Sequence, residues 1–286
     1  MNGNSVKVLS PSQLRDLLGR RGIVLSKRFG QNFLIDANVL SAIAGLVPSG
    51  ENMVFIEIGA GALALTGPLA ERGKRVVAFE IDERLRPVHE DLLQGDPLAA
   101  RIDLRYEDAL DADWCALGGE GETLVLVGNL PYLRSSEIVL KLIRSACIQS
   151  AVLLFQREFA TRLVAPPGNG DYSSLSVVAQ TFFSVHRLLE LPPDVFFPRP
   201  EVSSTLLEFA IRPRSLEDAE MAPFMRFVQQ AFLHRRKKLA DLFRRLGIPL
   251  EGQFSAISQL RPEVLTSSDF IDLYRAIARV ERSHNP

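Results

Sequence analysis

Cysteine is scarce: the 286 residues contain two, Cys115 and Cys147, which lie 32 positions apart and form no CxxC pair. That spacing suggests neither a disulfide framework nor a zinc site, and it fits a reducing, intracellular setting. Histidine is equally sparse. His89, His186, His234 and His284 show no ligand spacing, so surface or core histidines are expected and no metal. The N-terminus has no apolar h-region, so no secretory signal is expected. The longest apolar runs are strand-sized, which argues against a membrane span and predicts a soluble, cytoplasmic chain. Internal repeats and low-complexity segments are absent.

Net charge is also nearly absent, at -1, which argues against a uniformly basic surface. The charge is, however, unevenly spread. Residues 1–36 balance at +4 and residues 226–245 at +6, leaving -11 for the remainder. Phosphate binding depends on local clusters that release counterions, so the total does not decide the matter. Taken alone, the run Arg235-Arg236-Lys237-Lys238 reads as a solvated helix face.

What the chain does have is alternation. Short apolar runs at Met53–Ile58, Arg75–Phe79, Ile102–Arg105, 123–127 and 151–155 predict strands. Helix-length stretches near 62–72, 83–93, 135–146 and 156–164 separate them. Such a pattern implies parallel βαβ units in an open, doubly wound sheet. Two further runs, 185–191 and Ser204–Ile211, predict an antiparallel pair at one edge. Beyond a charged linker at 212–220, Phe224, Phe227, Val228, Ala231 and Phe232 recur at helical spacing, more as a helix core than as a base-stacking platform. The expected fold is α/β, with residues 37–215 as the main domain, a basic segment at 1–36, and a small helical domain at 216–286.

In open α/β sheets, ligands bind beyond the carboxyl ends of the strands. The first strand leads into Glu57-Ile58-Gly59-Ala60-Gly61, where Gly59 and Gly61 let backbone N–H groups approach a ligand. The second ends at Glu80, an acid able to accept both ribose hydroxyls. The third leads to Asp108, able to accept from an adenine amine. A glycine pair followed by an acid is shared by domains binding NAD and S-adenosylmethionine. Ala64 stands where the dinucleotide fingerprint has its third glycine, which counts against NAD.

The fourth strand ends in Asn129-Leu130-Pro131-Tyr132. This tetrapeptide resembles the Asn-Pro-Pro-Tyr-type signature of methyltransferases acting on planar exocyclic amines. An adenine amine is a poor nucleophile because its lone pair is delocalised into the ring. Asn129 and the Leu130 or Pro131 carbonyl can accept its two hydrogens, while Tyr132 stacks on the base. The competing reading is a proline turn with a core tyrosine.

Further blocks extend the likeness. They are Ser26-Lys27-Arg28-Phe29-Gly30-Gln31-Asn32-Phe33-Leu34, Tyr172-Ser173-Ser174-Leu175-Ser176-Val177, Phe196-Phe197-Pro198-Arg199-Pro200-Glu201-Val202-Ser203-Ser204, and Ala231-Phe232-Leu233-His234-Arg235-Arg236-Lys237-Lys238-Leu239. With Asn129 to Tyr132, these blocks occur in the order of the KsgA/Dim family of ribosomal RNA adenine dimethyltransferases, which most of the chain resembles. The resemblance implies a Rossmann-like class I methyltransferase sheet. It also implies S-adenosyl-L-methionine held by Gln31, Asn32, Leu34, Gly59, Gly61, Glu80, Asp108 and Asn129. Phe196 or Phe197 would cover the second face of the target base. Lys27, Arg28, Arg235, Arg236, Lys237 and Lys238 become RNA or immature small-subunit contacts, and a monomer is implied.

The sequence departs from the family at two places. Leu133-Arg134 replaces the usual Asn-Ile after the tetrapeptide, which would alter the rim of the target pocket. Leu63 stands where the family often has Gly or Ala in the cofactor loop. Two alternatives remain open. One is the related Erm type, acting on large-subunit RNA. The other is a ribosome-assembly factor with secondary catalysis.

Overall fold

A computed structural model describes residues 8–25 and 31–284. The chain packs into two compact units. Of the described residues, the first comprises 8–25, 31–157 and 186–210, and the second comprises 158–185 and 211–284.

In the first unit, α1 (Pro11–Arg20) is followed by β1 (Phe33–Leu34), α2 (Ala37–Leu46), β2 (Met53–Ile58), α3 (Thr66–Arg72) and β3 (Arg75–Phe79). Then come α4 (Arg86–Leu93), β4 (Ile102–Arg105), β5 (Thr123–Asn129), α5 (Ser135–Arg144) and β6 (Ile148–Gln156). After α6 (Arg157–Val164) and α7 (Ser174–Phe182), the chain returns through β7 (Phe183–Leu191), β8 (Phe196–Phe197) and β9 (Ser204–Ile211). The seven-stranded sheet has the order β4-β3-β2-β5-β6-β9-β7. Its first five strands pair in parallel, and β9 runs antiparallel to β6. This is the mostly parallel sheet with an antiparallel edge that the alternation predicts. The central strands are apolar on both faces because helices cover both: Val54, Phe55 and Ile56 of β2 are fully buried, as are Leu126 and Val127 of β5.

The third helix starts at Thr66 rather than near 62, because the turn before it cannot be helical. Gly61 has φ +55° and Leu63 φ +59°, both in the left-handed region. For leucine that conformation is strained by roughly 1–3 kcal/mol, and it is held by complete burial of the Leu63 side chain. The strain comes from the Cβ, so of the small residues that the resemblance implies there glycine is the one that would relieve it.

The cysteines, whose spacing suggests no disulfide framework, form one. Cys115 and Cys147 are joined, with Cα atoms 5.5 Å apart. Each is unremarkable in its local sequence, and they meet because the turn before β5 and the turn before β6 lie side by side at the sheet's amino edge. The support that cysteine spacing lent to a reducing setting is thereby withdrawn. Among the described residues no group of His, Cys, Asp and Glu could hold a metal, and no helix is long and apolar enough to cross a membrane.

The second unit contains α8 (Asp218–Phe232), α9 (Leu239–Leu246), α10 (Ser255–Ser258) and α11 (Ser267–His284). Phe224 packs edge-on against Tyr274 at 5.7 Å, and Phe227 against Phe270 at 6.3 Å. The phenylalanines at helical spacing are therefore core. Residues 158–185 belong here rather than with the sheet, because α7 packs on α8 and α11 and Tyr172 Oη donates to the Leu265 carbonyl at 2.9 Å.

Candidate active site

The strand order reverses between β2 and β5, which opens a crevice at their carboxyl ends. A cleft of roughly 710 Å³, counting its open mouth, lies there and is lined by Gln31, Asn32, Gly59, Gly61, Glu80, Asp108 and Asn129, within the usual size of a ligand pocket. All seven are predicted cofactor residues. They come from the segment before β1 and from the ends of four strands.

Close backbone approach explains the glycines. A Cβ on Gly61 would lie 2.8 Å from the Phe33 ring, and one on Gly128 would lie 2.7 Å from the Ile58 carbonyl. Alanine at 128 would therefore push β2 and β5 apart just below the site. The Gly61 N–H donates to Glu80 Oε2 at 2.9 Å, and the Asp82 N–H donates to Glu80 Oε1 at 2.9 Å. Each carboxylate oxygen keeps a second acceptor position. Burial raises the Glu80 pKa against the pull of these two N–H groups.

Asn129 is oriented from its donor side. Its Nδ2 donates to the Asn32 carbonyl at 2.6 Å, so the side-chain oxygen is what remains to accept from a base. Tyr132 is anchored by its hydroxyl, 2.8 Å from Ser204 Oγ, and burial raises its phenol pKa. The Pro131 carbonyl already accepts the Arg134 N–H at 3.0 Å, so the turn itself uses one of its two acceptor positions. Leu130 turns its side chain into the core, leaving only its backbone for the site.

β1 and β8 form a two-stranded ladder with Phe33 opposite Phe197 and Leu34 opposite Phe196. Two sequence blocks some 160 residues apart are thus neighbours. Phe196 is corrected by this pairing: it is 2% exposed and packs in the core with Leu34 and Leu206, so it cannot cover a base. Phe197 is only partly buried, and the Arg15 guanidinium lies 5.3 Å from its ring centroid. Leu34 lines a smaller pocket beside the cleft together with Glu57, Gly59 and Asn129.

Three residues to which the sequence gave no cofactor role lie in or against the site. Glu57 is fully buried, its Oε2 has no hydrogen-bond partner, and burial pushes its carboxyl up to about 8. His89 bonds to the Gly61 carbonyl. Arg134, expected at the target rim, lines the cleft and pairs with Asp108. The charge at 134 was visible in the sequence, whereas the partners of His89 lie too far along the chain to give a local signal.

Of the predicted RNA contacts, Lys27 and Arg28 lie outside the described residues. Arg235, Arg236, Lys237 and Lys238 belong to the second unit, in a turn between α8 and α9 rather than on a helix face. Arg235 Nε lies 3.1 Å from Glu263 Oε2, and Nη2 donates to the Gly170 carbonyl at 2.9 Å. Lys238 Nζ donates to Gln259 Oε1 at 2.9 Å. Arg236 and Lys237 are exposed.

Comparison with known proteins agrees with this geometry. Residues 24–278 match the family model described as ribosomal RNA adenine dimethylase. A ribosomal RNA small subunit methyltransferase A of Deinococcus radiodurans is 38% identical over 280 residues, covering 96% of this chain and 92% of that one. The protein of the same name from a Geobacillus species is 35% identical, covering 96% and 98%. Among solved structures, a dimethyladenosine transferase of Plasmodium falciparum superposes with a TM-score of 0.68 at 22% identity, over 85% of this chain and 96% of that one. The 23S rRNA methyltransferase ErmE superposes at 0.63 and 23%, over 86% and 100%. At such identities these last two likenesses show the fold alone.

Proposed function

The chain belongs to the ribosomal RNA adenine dimethylase family, and from that premise we propose that it methylates the N6 amines of two adjacent adenosines near the 3′ end of small-subunit ribosomal RNA. The product is N6,N6-dimethyladenosine, and the methyl donor is S-adenosyl-L-methionine. The observation that carries the reading is Asn129 in the cleft lining, whose Nδ2 is held by the Asn32 carbonyl while its side-chain oxygen is left to accept.

The cleft fits the donor on three counts. Gly59 and Gly61, both at positive φ in the turn that lines the cleft, present backbone rather than side chain to it. Glu80 and Asp108 place carboxylates at successive strand ends. The buried, unpartnered Oε2 of Glu57 belongs to a carboxyl that a positive charge such as the donor's would draw into its ionised form. When bound, S-adenosylmethionine supplies an electrophilic methyl on sulfur.

The remaining work falls to the protein. Glu80 would accept from ribose hydroxyls and Asp108 from the donor's adenine amine. An adenosine turned out of its stack would place N6 against the Asn129 side-chain oxygen and the Leu130 carbonyl. Two acceptors in the plane of the amine draw its hydrogens aside and localise the lone pair towards the methyl. Tyr132, fixed by Ser204, would hold one face of the base and Phe197 the other. A strong base is unnecessary, because the amine becomes acidic as the new bond forms.

Arg236 and Lys237 are the cations of the C-terminal cluster best placed to meet phosphates. We assign the protein to the cytoplasm with its ribosomal substrate, acting as a monomer during subunit biogenesis.

The direct test incubates the purified protein with labelled S-adenosylmethionine and either unmethylated small subunits or large subunits, followed by nucleoside mass spectrometry. Dimethyladenosine from small subunits alone is expected. Label in large-subunit RNA would move the protein to the Erm type, and tight small-subunit binding without label would make it an assembly factor.

A further inference from the structure

We propose that Arg134 is a positioning residue for the adenine end of the methyl donor, holding the Asp108 carboxylate in the orientation that receives the adenine amine; this rests on the methyl-transfer reading above. Arg134 and Asp108 come from different parts of the sheet, one from the turn before α5 and the other from the loop after β4. Arg134 Nη1 lies 3.2 Å from Asp108 Oδ2. The other Asp108 oxygen, Oδ1, accepts the Leu110 N–H at 2.9 Å. Asp108 is therefore held at both oxygens, once by its own loop and once across the cleft.

The guanidinium is itself aimed. Nη2 donates to Glu137 Oε2 at 3.1 Å, and Nε lies 2.7 Å from Glu137 Oε1 in the first turn of α5. The planar guanidinium reaches Glu137 with Nη2 and Asp108 with Nη1, a spread that a lysine ammonium covers less well. The Arg134 backbone N–H also donates to the Pro131 carbonyl. One residue thus fixes the turn of the target tetrapeptide with its backbone and the cofactor carboxylate with its side chain.

The alternative is that Arg134 contacts RNA phosphate at the rim. The geometry disfavours it, because two carboxylates already take up the guanidinium and its Nε is buried. Each Asp108 oxygen retains one acceptor position after these bonds. An adenine amine can use one of them, whereas a 6-oxo purine presents an acceptor where the amine would donate.

That contrast supplies the experiment. Binding of S-adenosylhomocysteine and its 6-oxo counterpart, S-inosylhomocysteine, is measured by calorimetry for the full chain and for Arg134→Ala, Arg134→Lys, Asp108→Asn and the Arg134→Ala/Asp108→Asn double variant. The wild type should prefer the amino compound by about tenfold or more. Arg134→Ala should erase most of that preference and raise KM for S-adenosylmethionine more than it lowers kcat. Arg134→Lys should recover part of the preference, and Arg134→Ala should add little once Asp108 is Asn. If Arg134→Ala does not fold, the partial loss in Arg134→Lys decides the question. An unchanged preference, with weaker subunit binding and a shallower salt dependence, would overturn the proposal in favour of a phosphate contact. A wild type that binds neither compound would instead overturn the methyl-transfer reading itself.

Discussion

His89 Nε2 lies 2.7 Å from the Gly61 carbonyl, while its Nδ1 lies 2.8 Å from Tyr106 Oη. A carbonyl only accepts, so Nε2 carries the hydrogen and Nδ1 accepts from the tyrosine. The ring is fully buried, and burial lowers its pKa and keeps it neutral. Both backbone groups of Gly61 are thus held, the N–H by Glu80 and the carbonyl by His89.

His89→Leu should leave that carbonyl unpaired and cost roughly 1–3 kcal/mol of stability, with weaker S-adenosylhomocysteine binding. His89→Gln, which keeps an N–H donor, should lose less of both. The pH dependence has a definite sign. A histidine with a depressed folded pKa lends stability above its unfolded pKa of about 6.5, and that stability is lost as pH falls through the folded value. Denaturant titrations from pH 7.5 to 5 should show a steeper decline for the wild type than for His89→Gln.

Glu57 is predicted to trade stability for function. Its folded pKa of about 8 lies above the usual carboxylate value. Its contribution is therefore present below about pH 4.5 and lost as pH rises through 8. Glu57→Gln should melt higher than the wild type at pH 8.5, the stability difference being on the order of several kcal/mol, and the gap should close near pH 4. The same variant should bind S-adenosylmethionine more weakly. Equal melting at both pH values would show that the carboxyl is not held neutral.

Asn129→Ala should reduce methyl transfer by on the order of 10² to 10³ while sparing subunit binding. Asn129→Asp should do further harm, because a carboxylate would face the Asn32 carbonyl that Nδ2 now contacts at 2.6 Å. Single-turnover transfer and S-adenosylhomocysteine calorimetry separate the two. Asn129→Ala loses chemistry, and Asn129→Asp loses cofactor binding as well.

The basic cluster should divide by partner. Arg235→Ala breaks contacts to Glu263 and the Gly170 carbonyl and should destabilise the helical unit by on the order of 1 kcal/mol. Reversing Arg236 and Lys237 should leave melting unchanged and reduce the salt slope of subunit binding by about two. If all four cations proved equivalent in both assays, this division would fail.

Periodicity and strand-end chemistry determined most of the fold and most of the cleft from sequence alone. Those signals are local: a strand's burial pattern, a glycine turn, an acid at a strand end and the run from Asn129 to Tyr132 each occupy a few consecutive residues. Only tertiary structure decided the rest, because those features depend on atoms brought together from distant positions. It removed Phe196 from the site by pairing it with Leu34, joined Cys115 to Cys147, and placed residues 158–185 with the helical unit. It also turned Arg134 to Asp108 and His89 to Gly61. A side chain's type and local spacing set what it can donate or accept, but the packing of the sheet and its crossovers selects the partner.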